Sequence, residues 1–153
     1  MKESQHYDYE VNEIELLDKL HLQFALYNYN KFKKALRGLE ERIKLIQDQK
    51  LQLPSGIVVK REVLNSNKPN RLLELMEKQQ ILLSKYRDYE YYVELVDDFV
   101  KGISEPDKSL IIDRYYNSMS WALLEEKYNF SERQMSRIIK RNIKTYNSIN
   151  NSQ

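Results

Sequence analysis

The chain has 153 residues, 41% hydrophobic and 31% charged, a balance too apolar for a disordered polypeptide and too charged for a membrane protein. It has no cysteine, which removes disulfides, thiolate metal sites and cysteine nucleophiles together, and only three glycines and three prolines, so the few elements it forms are long and helical. The net charge of +2 hides an asymmetry: residues 131–153 hold five basic and one acidic side chain, while the rest holds 20 basic against 22 acidic. Positive charge gathered on one short segment is the electrostatic footprint of a small nucleic-acid reader.

In chain order, residues 1–10 are polar and expected to fray, with no apolar core of a signal segment, and no run of about eighteen apolar residues occurs anywhere. A cytoplasmic protein is therefore expected. From Val11 to Gln49 the pattern predicts one long amphipathic helix. Leu17, Leu20, Phe24 and Tyr27 mark its first half and Phe32, Leu36, Leu39, Ile43 and Ile46 its second. The phase slips around Asn28 to Asn30, where a kink or break is expected because asparagine is a weak helix former. Unbroken, this helix would span roughly 58 Å and would need a partner along its length.

Residues 51–69 form a connector: Pro54-Ser55-Gly56 breaks the helix, Ile57-Val58-Val59 suits a short extended segment, and Asn65 to Pro69 is turn chemistry. Pro69-Asn70 then leads into a second long helix. Its seam of Leu72, Leu75, Gln79, Leu82, Tyr86, Tyr89, Val93, Val96, Val100 and Ile103 keeps an unbroken alternation of three and four, with Gln79 as a polar layer. Tyr86 and Tyr89 are expected to fill a wide seam with their hydroxyls at its edge, and the neighbouring carboxylates to form a solvated acidic face. The long helices can pair as an antiparallel hairpin within one chain, which is the minimal solution, or with copies in a homodimer.

After Gly102, Ser104-Glu105-Pro106 is expected to cap a further helix. From Ser120 to Lys144 the sequence describes two helices joined by a tight turn. Ser120 can cap the first, with Trp121, Leu124 and Tyr128 on one face, and Asn129 tolerates the left-handed backbone at its end. Phe130 is expected to plug the core, and Ser131 with Gln134 completes a capping box for the second helix. Met135, Ile138, Ile139, Asn142, Ile143 and Tyr146 form that helix's inward stripe, while Arg133, Arg137, Lys140, Arg141 and Lys144 lie opposite. This is a helix-turn-helix arrangement, whose second helix enters the DNA major groove.

The run from Pro106 through Leu110-Ile-Ile-Asp-Arg-Tyr-Tyr-Asn-Ser-Met-Ser to Tyr128-Asn-Phe-Ser-Glu-Arg-Gln-Met-Ser-Arg-Ile-Ile-Lys-Arg resembles region 4 of bacterial sigma factors. The match covers about a third of the chain. With the long helices in front, the whole is similar to phage ArpU/RinA-like transcriptional regulators. It departs at Glu125, where helix-turn-helix proteins usually carry a small alanine, and at Glu132 and Ser136, where sigma factors commonly carry arginines; the latter implies a target other than a standard promoter element.

The expected fold is thus all-α: a long helical hairpin or coiled coil over residues 1–103, a three-helix helix-turn-helix domain over 104–148, and a tail over 149–153. The expected function is sequence-specific binding of double-stranded DNA as a late-gene activator. The contact set is Ser131, Glu132, Arg133, Gln134, Ser136, Arg137, Lys140, Arg141 and Lys144, with Arg133 and Arg137 reading bases and Lys140, Arg141 and Lys144 holding phosphates. The alternatives are a small-terminase-type packaging protein and a helical adaptor that docks on RNA polymerase. An enzyme is not expected, nor a metal or cofactor: His6 and His21 stand in no motif, and Gly38, Gly56 and Gly102 are isolated, so no phosphate-cradling loop can form.

Overall fold

The computed structural model describes residues 20–54 and 70–151, and these are helical throughout apart from their connections, with no strand among them. Expectations for residues 1–10, His6, Leu17, the interior of the connector including Gly56 and Ile57-Val58-Val59, and the last two residues lie outside the described residues. Helix α1 occupies 20–27, α2 Tyr29–Leu51 and α3 Arg71–Lys101. Then follow α4 Asp107–Ile111, a π-helical turn Ile112–Tyr116, α5 Trp121–Tyr128 and α6 Glu132–Asn151. No helix among the described residues is long and apolar enough to cross a membrane.

The break expected near Asn28 is present, but the face assigned to the first helix was the wrong one. Asn28 sits in the turn between α1 and α2, and both its backbone N–H and its side-chain amide donate to the Phe24 carbonyl, at 3.1 and 2.9 Å. The buried residues are Leu22, Ala25, Leu26 and Tyr29, whereas Leu20, Phe24 and Tyr27 are 50%, 49% and 84% exposed. Followed through Leu22, Leu26, Tyr29, Phe32, Leu39 and Ile46, the stripe runs on without a slip. Ala25 is fully buried yet too small to stand out as a hydrophobic marker, while the three larger side chains drew the pattern to the neighbouring face.

The chain does not divide at Ile103. One compact unit is Phe32–Tyr91, and the other takes in the residues up to Lys31 together with those from Tyr92 onward. In the first unit α2 and α3 form the antiparallel hairpin. Leu39, Ile46, Leu75 and Leu82 make its core, flanked by Ile43, Leu53, Tyr86 and Tyr89. Between the end of α2 and the first half of α3 Gln79 forms the expected polar layer, accepting from Lys50 Nζ at 2.9 Å and donating to Gln47 at 3.1 Å. At the other end Phe32 and Tyr89 rings lie 5.2 Å apart. Tyr86 does place its hydroxyl at the seam's edge, donating to Glu40 at 2.9 Å. Asn70 caps α3, its side-chain oxygen accepting from Leu72 N–H at 3.0 Å.

In the second unit the continuation of the same seam, Val93, Val96, Val100 and Ile103, is buried together with Phe99, which the three-four alternation skipped. Adding Phe99 widens the stripe, as required where a helix is covered from more than one side. The rings of Tyr29 and Tyr116 stack 4.4 Å apart, and both hydroxyls donate to one oxygen of Asp97, at 2.7 and 2.6 Å. Burial first, and then the hydrogen bond to Asp97, pushes the Tyr29 hydroxyl up to about 12, and the same causes raise Tyr116. The Asn30 side chain donates to the carbonyls of Tyr115 and Tyr116, at 3.0 and 3.2 Å. These bonds fasten the start of α2 and the end of α3 to the C-terminal helices, which is why the boundary falls inside both long helices.

Candidate nucleic-acid interface

The second unit's core around the turn consists of Leu110, Leu124 and Met135, with Met119, Trp121, Tyr128 and Ile138 packed against it. Within the expected capping run Ser104-Glu105-Pro106 it is the Glu105 carboxylate that accepts from the Ser109 N–H, at 3.2 Å, and Pro106 stands at the N-cap of α4. After α4 the backbone widens into a π-helical turn, closed by Asn117 N–H donating to the Ile112 carbonyl at 3.0 Å. This extra residue per turn rotates Asp113 inward, where it is 8% exposed. Asp113 accepts from Asn117 Nδ2 at 2.9 Å, from Lys127 Nζ at 2.7 Å and from the Tyr128 hydroxyl. One carboxylate thus ties the π-helical turn to the last turn of α5.

Those bonds have a pH consequence. Lys127 and then Tyr128 hold the Asp113 carboxyl below its ordinary 3.8, while burial and the hydrogen bond to Asp113 push the Tyr128 hydroxyl up to about 12. A depressed carboxyl contributes stability that is complete above its unfolded value and is lost as pH falls through the folded one; a raised phenol contributes stability that is complete below about 10 and lost as pH rises through about 12. Asp113→Ala should therefore cost about 1–3 kcal/mol at pH 7, because it leaves the Tyr128 hydroxyl without its acceptor. That difference from the parent should shrink below pH 4, as pH-dependent urea melts would show.

The turn itself is built as its sequence implies. Ser120 Oγ accepts from Leu123 N–H at 3.3 Å, and Asn129 takes the left-handed conformation, φ 60° and ψ 27°. The capping box closes in both directions: Gln134 N–H donates to Ser131 Oγ at 3.2 Å, and Ser131 N–H to Gln134 Oε1 at 2.9 Å. Glu125 adds a bond the sequence did not announce, accepting from the Glu132 N–H at 2.9 Å. In place of the usual small residue, a carboxylate from the first helix thus caps the second. Phe130 departs from expectation. It is 42% exposed, because Leu124 and Met135, both fully buried, already close the space between the helices. Phe130→Ala should accordingly cost under about 1 kcal/mol in thermal or urea unfolding, a surface-like loss.

Helix α6 buries Met135, Ile139 and Ile143, half-buries Ile138, Asn142 and Tyr146, and runs to Asn151, beyond the expected end at 148. Opposite that stripe Glu132, Arg133, Arg137, Lys140 and Lys144 are exposed and Ser136 is half-buried. Glu125, Ser131, Glu132, Arg133, Ser136, Arg137 and Lys140 line one shallow groove of about 550 Å³. Within it the positive side chains are Arg133, Arg137 and Lys140, while the two carboxylates sit at the α6 N-terminus, where the helix dipole favours them. Ser131 and Gln134 are engaged in the cap. Arg141 is turned away from this groove toward Asp107, 3.5 Å from its carboxylate, which also accepts from Asn142 at 3.0 Å. Of the nine expected contact residues, six therefore share one groove, and Gln134, Arg141 and Lys144 lie outside it.

A second groove of about 470 Å³ adjoins the first, since Ser136 and Lys140 line both. Its other walls include Leu20, Phe24 and Tyr27 of α1 with Trp121, Ile139 and Ile143. Here the Arg114 guanidinium lies 4.2 Å over the Trp121 ring and donates to the Met119 carbonyl at 2.8 Å. That pairing holds a cation beside the α6 surface. Sequence reasoning had named Arg114 only as part of a motif, because a contact seven residues away across a turn leaves no periodic mark.

Comparison with protein-family models, curated proteins and solved structures found no match.

Proposed function

We propose that the chain binds double-stranded DNA sequence-specifically, laying the outer face of α6 in the major groove. One observation carries this reading: a reciprocally capped helix follows a left-handed asparagine turn and presents Arg133, Arg137 and Lys140 together in one open groove. Its buried stripe fixes the helix's rotation, so these side chains point outward without reorganisation, and an arginine can donate to both acceptors of a guanine edge. Arg133 and Arg137 read bases, and Lys140 and Lys144 hold phosphates. Arg141 plays a lesser part, because an exposed ion pair such as that with Asp107 is weak but still competes for it.

The resemblance to sigma factor region 4 and to ArpU/RinA-like regulators supports the narrower proposal of a phage transcriptional activator. Selection of bound duplexes from random DNA tests the general reading. A recovered motif with guanines at positions protected by Arg133 and Arg137 is expected; recovery of no motif, or no retention of duplex at low salt, would overturn it.

A further inference from the structure

The two faces of α1 meet different surroundings. Leu22, Ala25 and Leu26 are buried, and the Phe24 ring meets Tyr92 edge-on at 5.4 Å, so the helix is held in one rotation. That rotation places Gln23 and Tyr27, one turn apart, on the second groove beside α6. Leu20, Phe24 and Tyr27 are all exposed along the same groove, Tyr27 by 84%, which makes a continuous patch rather than scattered side chains.

The charge of this groove is all of one sign. Among the described residues that line it, Arg114 and Lys140 are the charged ones, and both are cations. Arg114 is held flat on Trp121, and its bond to the Met119 carbonyl occupies only part of a guanidinium that carries several N–H donors. Lys140 also lines the groove of Arg133 and Arg137, so a long ligand lying along the outer face of α6 runs on into this second groove.

We propose that the second groove seats the sugar–phosphate strand bordering the major-groove segment that α6 reads. The inference rests on the DNA-binding reading and extends it to α1, a helix far from α6 in sequence. Arg114 and Lys140 supply the charge, the Tyr27 hydroxyl and the Gln23 amide donate to phosphate oxygens, and the apolar wall meets the sugars. Cations, amides and phenols are the side chains that fasten phosphates, and such contacts fix register and orientation without reading sequence. An apolar helix laid in the same groove would bury two cations without partners, which is costly.

Titration of the full chain against the duplex recovered by selection and against a scrambled one, each across a salt series, tests this. Tyr27→Glu should weaken both duplexes alike, by about tenfold, because it sets a carboxylate against a phosphate. Tyr27→Lys should strengthen both and steepen the slope of log affinity against log salt by about one unit. Since Tyr27 stands in water, both variants should keep the parent's urea midpoint of tryptophan fluorescence; if Tyr27→Glu shifts it, Tyr27→Lys decides. Hydroxyl-radical footprinting should show a protected stretch of strand beside the guanines covered by Arg133 and Arg137, lost in Tyr27→Glu while the guanines stay covered. Charge variants with the parent's affinity, salt slope and footprint would remove this groove from the DNA interface and leave it to another occupant, such as an acidic protein segment, with α6 still the reader. A parent that retains no duplex would overturn this proposal together with the DNA-binding reading, so the two failures are distinct.

Discussion

Leu124→Ala should destabilise the second unit by about 2–5 kcal/mol, the range for removing most of a leucine from a packed core. Leu124 is fully buried between Leu110 of α4 and Met135 of α6, so three helices lose contacts at once. Its neighbour Leu123 supplies the control. Leu123 is 53% exposed on the same short helix, and Leu123→Ala should change stability by about 0.5 kcal/mol or less. Trp121, the chain's single tryptophan, packs against this core and reports its unfolding directly. Equal shifts in the urea midpoint of tryptophan fluorescence for the two variants would mean that α5 is rotated from its assigned face.

The contrast between these two leucines shows where the sequence speaks and where it does not. Helix α6 was legible because its stripe repeats over about three turns and its opposite face is basic; the capping box and Asn129 were legible because they are local. The seam of α3 was legible for the same reason over a greater length. The buried face of the first helix is hidden in the sequence because Ala25 and Leu26 compete with the larger Phe24 and Tyr27, each one position away, and only the covering helices decide between adjacent faces. Phe130 was misjudged because its size suggested burial, whereas the space it would fill is taken by Met135, five residues on. The bonds of Asp113 and Glu125 are not legible in the sequence because their partners, Lys127, Tyr128 and the Glu132 N–H, are reached through the fold rather than along one helix face. In the candidate site, the outward residues followed from periodicity, but the loss of Arg141 to Asp107 depended on where α4 lies.

Arg133→Ala and Arg137→Ala together should lower affinity for a selected DNA site by 100-fold or more, about 1–3 kcal/mol for each arginine that bonds a guanine edge in two places. Both side chains line the groove at the start of α6, four residues apart and so one turn from each other on the same face. That spacing lets them meet successive base pairs. Lys144 lies outside the groove, on the helix two turns beyond Arg137, and its loss should have a different signature. Lys144→Ala should weaken all sequences alike, by a smaller factor, and reduce the slope of log affinity against log salt by about one unit. Arg137→Ala should instead relax the preference at one position of the site while leaving affinity for unrelated DNA nearly unchanged. Binding titrations of the selected duplex and of a scrambled one, each across a salt series, separate the two behaviours. A double arginine variant that kept both its affinity for the selected site and its preference over the scrambled duplex would remove α6 as the reading element.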